Sequence, residues 1–78
     1  MTLDEMNIPP VIKKEAADLI RRIELADGLL ELATAGGMTE GFVIGINCLK
    51  ALRPNDVDAL EILFSQAMDR KMAEARHG

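Results

Sequence analysis

The sequence predicts an all-α domain made of a long helix, a short helix and a long helix, joined by tight turns. In the long segments, apolar residues recur at alternating spacings of four and three, which is typical of one apolar side on a helix. Glycine and proline residues separate these segments, and no segment shows the period-two alternation of a strand. A chain of 78 residues has room for one small domain.

We expect residues 1–10 to form an extended lead-in and residues 11–76 to form a single helical domain. The lead-in ends in two prolines, which suit the first turn of a helix because an N–H has no helical partner there. The first long helix is predicted over 11–35. Gly36-Gly37 can end it, since glycine accepts the left-handed conformation that closes helices. Its apolar side consists of Ile12, Ala16, Leu19, Ile23, Ala26, Leu30 and Ala33.

One dipeptide inside this first helix is typical of a turn. Asp27-Gly28 could break the helix, and glycine costs about 1 kcal/mol relative to alanine in a helix interior. The four-and-three spacing nevertheless continues across Gly28 without a slip. A continuous helix is therefore favoured over a break at Asp27.

The middle segment, 39–52, has two interpretations. Thr39 can cap a short helix, and Glu40 in the first turn suits the positive end of the helix dipole. Phe42 and Ile44 are also good strand residues, which leaves an extended conformation open. Because a lone strand would have no partner strand, we predict the helix.

Arg53-Pro54-Asn55-Asp56 is the clearest boundary in the chain. Proline ends the preceding element, and Asn55 can cap the next helix, with Asp56 in its first turn. The last helix should run to about Ala75. Its predicted apolar side is Val57, Leu60, Phe64, Ala67, Met68, Met72 and Ala75.

Composition favours a cytoplasmic protein without a membrane segment. Hydrophobic residues make up 49% of the chain, too many for a disordered tail. One cysteine excludes an internal disulfide. No unbroken apolar run approaches the roughly 20 residues of a membrane span, and the first ten residues do not resemble a signal peptide.

Catalytic chemistry has little support in the residue inventory. The chain contains one His, one Cys and one Ser, and neither Trp nor Tyr. His77 lies at the chain end, and Ser65 has no neighbouring base in the sequence. Cys48 lies among apolar residues, so we expect it to be buried. We predict no enzyme activity, no catalytic residues, no cofactor and no metal site.

The first helix carries more apolar residues than one neighbouring helix can cover. Leu25, Leu29 and Leu32 form a second apolar side on its C-terminal half. A helix that is apolar over most of its circumference is normally buried on more than one side. We therefore expect a homodimer or higher oligomer that uses these three leucines as its interface and completes the domain.

A second apolar surface is the predicted contact for another protein. Phe42 and Ile46 of the middle helix, with Met68 and Met72 of the last helix, could line a groove rimmed by charge. For Phe42, a place in the core is the alternative interpretation.

Together these features favour a non-catalytic protein-interaction module, such as a small bacterial or phage inhibitor, anti-activator, adaptor or secretion chaperone. The alternative is a small DNA-associated transcription or nucleoid regulator that contacts phosphates through Lys13, Lys14, Arg21 and Arg22. The net charge of −4 disfavours nucleic acid as a partner.

The segment 63–74, which reads LFSQAMDRKMAE, is similar to the last helices of the Hha family of small nucleoid regulators. The similarity covers about a dozen residues and consists of residue types common in helices. It transfers no functional residue to this chain.

Overall fold

The computed structural model describes residues 2–77, with side chains described through Glu74. Within that range the chain is all-helical, as predicted, with a 3-10 turn at Leu3–Glu5 and three α-helices. Helix α1 spans Pro10–Glu24, α2 spans Leu29–Leu49 and α3 spans Pro54–His77. The predicted order of a long, a short and a long helix is therefore wrong, because the middle helix has 21 residues whereas α1 has 15.

The prediction of one continuous helix over 11–35 is wrong. Helix α1 ends at Glu24, and the chain turns at Gly28, which has φ 94° and ψ 169°. Side chains other than the hydrogen of glycine are strained in that region of backbone space. The amide of Leu32 donates to the carbonyl of Gly28 at 3.1 Å, which starts α2.

Helix α2 contains the glycines that were expected to end its predecessor. Gly36 faces α3, and the Cε methyl of Met68 lies 3.1 Å from where a Cβ at Gly36 would be. Thr39 is not a cap, because it lies inside the helix, is buried, and its hydroxyl donates to the carbonyl of Gly36 at 2.7 Å. The predicted helical conformation of the middle segment is confirmed, with α2 ending before Lys50 in the left-handed region at φ 52°.

The boundary before α3 is confirmed, but the predicted cap, Asn55, is wrong, because the residue that precedes the helix is Arg53, two positions earlier. Helix α3 begins at Pro54, so proline occupies the first helical position. The amides of Asp56 and Val57 both donate to the carbonyl of Arg53, at 3.0 and 3.1 Å. Arg53 thus precedes the helix, and Asn55 lies within it. The predicted apolar residue Ala75 has its side chain outside the described residues.

The three helices enclose two adjoining clusters of buried side chains. Ile23 of α1 and Leu60 of α3 are fully buried. The rings of Phe42 and Phe64 meet edge to face, with centroids 6.1 Å apart. The clusters are Met6, Ile8, Ala16, Leu19, Ile46, Val57, Leu60 and Phe64, and then Ile23, Ala26, Leu32, Ala35 and Ala67.

The lead-in contributes to this core. Met6 and Ile8 are both buried and pack against the larger cluster. The hydroxyl and amide of Thr2 donate to Glu5 at 2.9 and 3.1 Å, closing the 3-10 turn, and these bonds lower the pKa of Glu5. The segment before α1 is therefore packed rather than merely extended.

Candidate interaction surfaces

Large apolar side chains remain exposed on the folded chain, and most of them belong to the α1–α2 connection and to α2. Leu30 is 82% exposed and Leu49 is 81% exposed. Among the residues whose side chains the structure describes, the exposed large apolar ones are Val11, Leu25, Leu29, Leu30, Met38, Ile44, Leu49, Ile62 and Met72. Single exposed apolar residues are ordinary, but a concentration of them indicates a surface that another molecule covers.

The three leucines predicted to form an oligomer interface do not share one environment. Leu25 and Leu29 are exposed at the connection between α1 and α2. Leu32 is 4% exposed and packs with Ile23 and Ala67. The helix breaks at Gly28, and α2 packs with Leu32 facing the core. Leu32 therefore cannot contact a second copy of the chain in this fold.

One side of α2 has no charge along its length, and we call it the outer face of α2. It consists of Leu30, Thr34, Gly37, Gly41, Ile44 and Cys48, spaced alternately by four and three and all exposed. Nothing lies within 4 Å of a Cβ built on Gly37 or Gly41. The hydroxyl of Thr34 donates to the carbonyl of Leu30 at 3.0 Å, so it needs no partner outside the helix.

Sequence reasoning missed this face, although the signal was present. The spacing of four and three continues from α1 into α2, so Leu30 was assigned to the apolar side that packs inside the subunit. Cys48 was expected to be buried, but its thiol is exposed. The break at Gly28 changes which residues of α2 point inward, and the residues left on the outer face are small or apolar.

The residues predicted to contact another protein lie in different places. Ile46 is buried in the core, so that prediction is wrong for the folded subunit. Phe42 is partly buried and packs against Phe64, which agrees with the core alternative. Met68 is partly buried beside Gly36, and Met72 lies one helical turn beyond it and is exposed.

Helices α2 and α3 border an open groove of about 700 Å³, which we call the α2–α3 groove. Its apolar part includes Val43, Phe64 and Met68, and its carboxylates belong to Glu40 and Glu61. The lining residues include no lysine or arginine. They are Ala33, Gly36, Gly37, Thr39, Glu40, Val43, Ile44, Glu61, Phe64, Ser65 and Met68.

A second open groove lies between α1 and α2. Its apolar residues include the exposed side chains Leu25, Leu30 and Met38, and it is also bordered by Arg21 and Arg22. Asp18 and Glu31 lie among the same lining residues, so its charge is mixed.

The four basic residues proposed for nucleic acid are not equally available. Lys13 donates through Nζ to the carbonyl of Asp4 at 3.2 Å. Lys14 forms a 3.0 Å ion pair with Asp18, which raises the pKa of Lys14. Arg21 and Arg22 are exposed on the last turn of α1. Two of the four cations therefore already contact oxygens of this chain.

The described part of the chain brings together no cluster of metal-binding side chains. There, no group of three or more His, Cys, Asp or Glu side chains could hold a metal ion. The side chain of His77 lies outside the described residues.

Helix α2 is long and apolar enough, by length and composition, to cross a membrane. The sequence predicted no such segment, because it has no unbroken apolar run of that length. Of the most apolar 18 residues of α2, 22% are buried inside the subunit. Glu31 and Glu40 interrupt the apolar sequence without making the average polar. Core helices of soluble proteins share this length and composition.

Comparison of the chain with family models, curated proteins and solved structures finds no match.

Proposed function

We propose that this protein is a non-catalytic protein-binding module of the cytoplasm and that its binding site is the α2–α3 groove. The observation that supports the proposal is the combination of an apolar lining with carboxylates and no basic residue. Apolar grooves with polar rims are the usual form of a site that takes a helix or an extended segment of another protein.

The chemistry of the groove indicates the type of partner. Glu40 and Glu61 are exposed and would attract a segment that carries lysine or arginine. The net charge of −4 adds a long-range attraction for a basic partner. An amphipathic helix with apolar residues on one side and basic residues beside them matches this surface.

Methionine gives the α3 side of the groove the ability to adapt. Met68 has three rotatable bonds and lies at the groove, and Met72 extends the same side of α3 by one turn. Such side chains can adjust to apolar partners of different shape. This property suits an adaptor or a small inhibitor.

The proposal is tested by reversing the charge of the groove. Glu40→Lys combined with Glu61→Lys should remove at least nine tenths of the protein captured from a lysate of the organism that encodes the chain. Ser65→Trp, which fills the groove without changing the charge, should do the same. The captured proteins are identified and quantified by mass spectrometry.

A matched control makes the same change of net charge on α3 at positions outside the groove. Asp58→Lys combined with Asp69→Lys alters two exposed residues that do not line the groove. This control should leave capture unchanged. Equal loss in both double variants would show that net charge, rather than the groove, holds the partner, and full capture by Ser65→Trp would exclude the groove as the site.

The DNA-binding alternative makes a different prediction. It requires Lys13, Lys14, Arg21 and Arg22 to hold the chain on DNA at low salt, with loss of retention when these charges are removed. The contacts of Lys13 and Lys14 with this chain's own oxygens favour the protein-binding proposal.

A further inference from the structure

We infer that the protein pairs with a second copy of itself through the outer face of α2, with the two α2 helices antiparallel. This surface differs from the site of the proposed function, although Gly37 and Ile44 border both. The inference therefore goes beyond that function and can be tested separately from it.

The folded chain exposes more surface than is expected for a monomer of its mass. The folded chain exposes 5479 Å². A monomer of 8.5 kDa is expected to expose about 4,650 Å², so the excess is about 800 Å². A standard protein interface takes about 800 Å² from each partner. One interface between two copies would thus bring the exposed surface to the value expected for a compact subunit.

The composition of the outer face suits a second helix rather than water. Its residues are spaced alternately by four and three, which is typical of the contact side in a left-handed pair of helices. Leu30 and Ile44, which are 82% and 62% exposed, provide apolar contact near its two ends. Gly37 and Gly41 lie between them with open space above, which allows two helix backbones to approach closely.

The order of residues along this face fits an antiparallel pair, in which each large apolar residue lies opposite a smaller one. A two-fold axis at the level of residue 39 places Leu30 opposite Cys48 of the second copy. The same axis places Gly37 opposite Gly41, so the smallest residues of both helices meet at the centre. A two-fold arrangement of this kind is closed and uses the same surface twice.

Charge at the two ends of α2 favours the same orientation. Asp27 and Glu31 lie at the start of α2, and Lys50 lies directly after its end. Antiparallel pairing brings the acidic end of one helix to the basic end of the other, and it opposes the two helix dipoles. Parallel pairing would bring like ends together.

This interface replaces the one that the sequence predicted. Leu25 and Leu29 are exposed but lie outside the outer face of α2, and Leu32 is buried. The expectation of self-association is kept, whereas its location moves from the first helix to the second.

The pairing is tested by sedimentation equilibrium of the full chain. Wild type should form a reversible dimer, and Ile44→Glu should raise its dissociation constant at least 100-fold. Ile62→Glu is the matched control, because Ile62 is 56% exposed on α3 and should leave the constant unchanged. Gly41→Leu adds apolar surface in open space, so the subunit should stay folded while the dissociation constant rises at least tenfold.

Disulfide trapping tests the orientation. Two Cys48 thiols in the antiparallel pair are separated by about 18 residues of helix, or about 27 Å, and cannot form a bond. Leu30→Cys should form a covalent dimer with oxidised glutathione as the oxidant, since residue 30 lies opposite Cys48 of the second copy. Wild type should not, and neither should Leu30→Cys combined with Cys48→Ser.

Three results would overturn the inference. Wild type could stay monomeric at every accessible concentration, or it could form a Cys48–Cys48 dimer, which the antiparallel pair centred on residue 39 does not allow. It could also stay monomeric and bind vesicles of anionic and neutral phospholipid through α2, which would make a bilayer the occupant of this face. Ser65→Trp should leave dimerisation unchanged, so failure of the groove proposal and failure of the pairing remain distinguishable.

Discussion

Helices α1 and α2 cover the same core, but their solvent sides differ. The exposed side of α1 carries Lys14, Glu15, Asp18, Arg21 and Arg22, whereas the outer face of α2 is uncharged over the six positions defined above. A charged side is stable in water, while an uncharged side with leucine and isoleucine leaves apolar surface exposed. The difference shows that packing inside the subunit covers the large apolar residues of α1 except Val11, whereas it covers only one side of α2.

The buried sides of α1 and α2 should contribute similarly to the free energy of unfolding. Ile23 of α1 is 0% exposed and Ile46 of α2 is 6% exposed. Replacing either by alanine should lower the free energy of unfolding by about 3 kcal/mol, because a large buried side chain is lost and a cavity remains. Urea unfolding monitored by circular dichroism measures this effect. A neutral Ile46→Ala would contradict the placement of α2 against the core.

The turn that separates the two helices should be the next most sensitive position. Gly28→Ala would place a Cβ at φ 94° and should cost about 2 kcal/mol. No neighbouring atom lies within 4 Å of such a Cβ, so the cost comes from the backbone alone. Thermal unfolding of this variant beside wild type measures it. An unchanged or higher midpoint would indicate that α1 and α2 can join into one helix.

A substitution on the outer face of α2 should raise the free energy of unfolding, by less than the losses described above. Gly41→Ala removes a glycine from a helix interior where nothing obstructs the methyl group, so the subunit should gain about 1 kcal/mol. Urea unfolding at protein concentrations below the dimer dissociation constant isolates this gain. A loss of stability there would mean that another part of the subunit already covers Gly41.

The sequence was sufficient for the helical class and for a boundary at residues 53–56, although it placed Pro54 before α3 and Asn55 at its cap. Proline at position 54 has one favourable place in a helix, which is the first turn, and the structure uses it there. The inward residues Val57, Leu60, Phe64 and Ala67 follow a single period without interruption, and all four are buried. Local chemistry and periodicity agree in this region, so each confirms the other.

The same reasoning failed where the two signals disagree. Across Gly28 the period of the apolar residues continues, while the turn dipeptide Asp27-Gly28 predicts a break. The break occurs because the chain must reverse so that α2 can pack on α1 and α3, and periodicity within one segment carries no information about that tertiary requirement. Leu30 therefore points outward and Leu32 inward. For this reason the candidate interaction surfaces are not formed by the residues that the sequence predicted.

The excess surface of the subunit also has a thermodynamic consequence. The heat-capacity change of unfolding and the denaturant dependence both scale with the surface that unfolding newly exposes. A subunit that keeps part of its apolar surface in water when folded has less left to expose. The isolated chain should therefore unfold over a broad range of temperature with a flat stability curve. Pairing should sharpen that transition and make its midpoint rise with protein concentration.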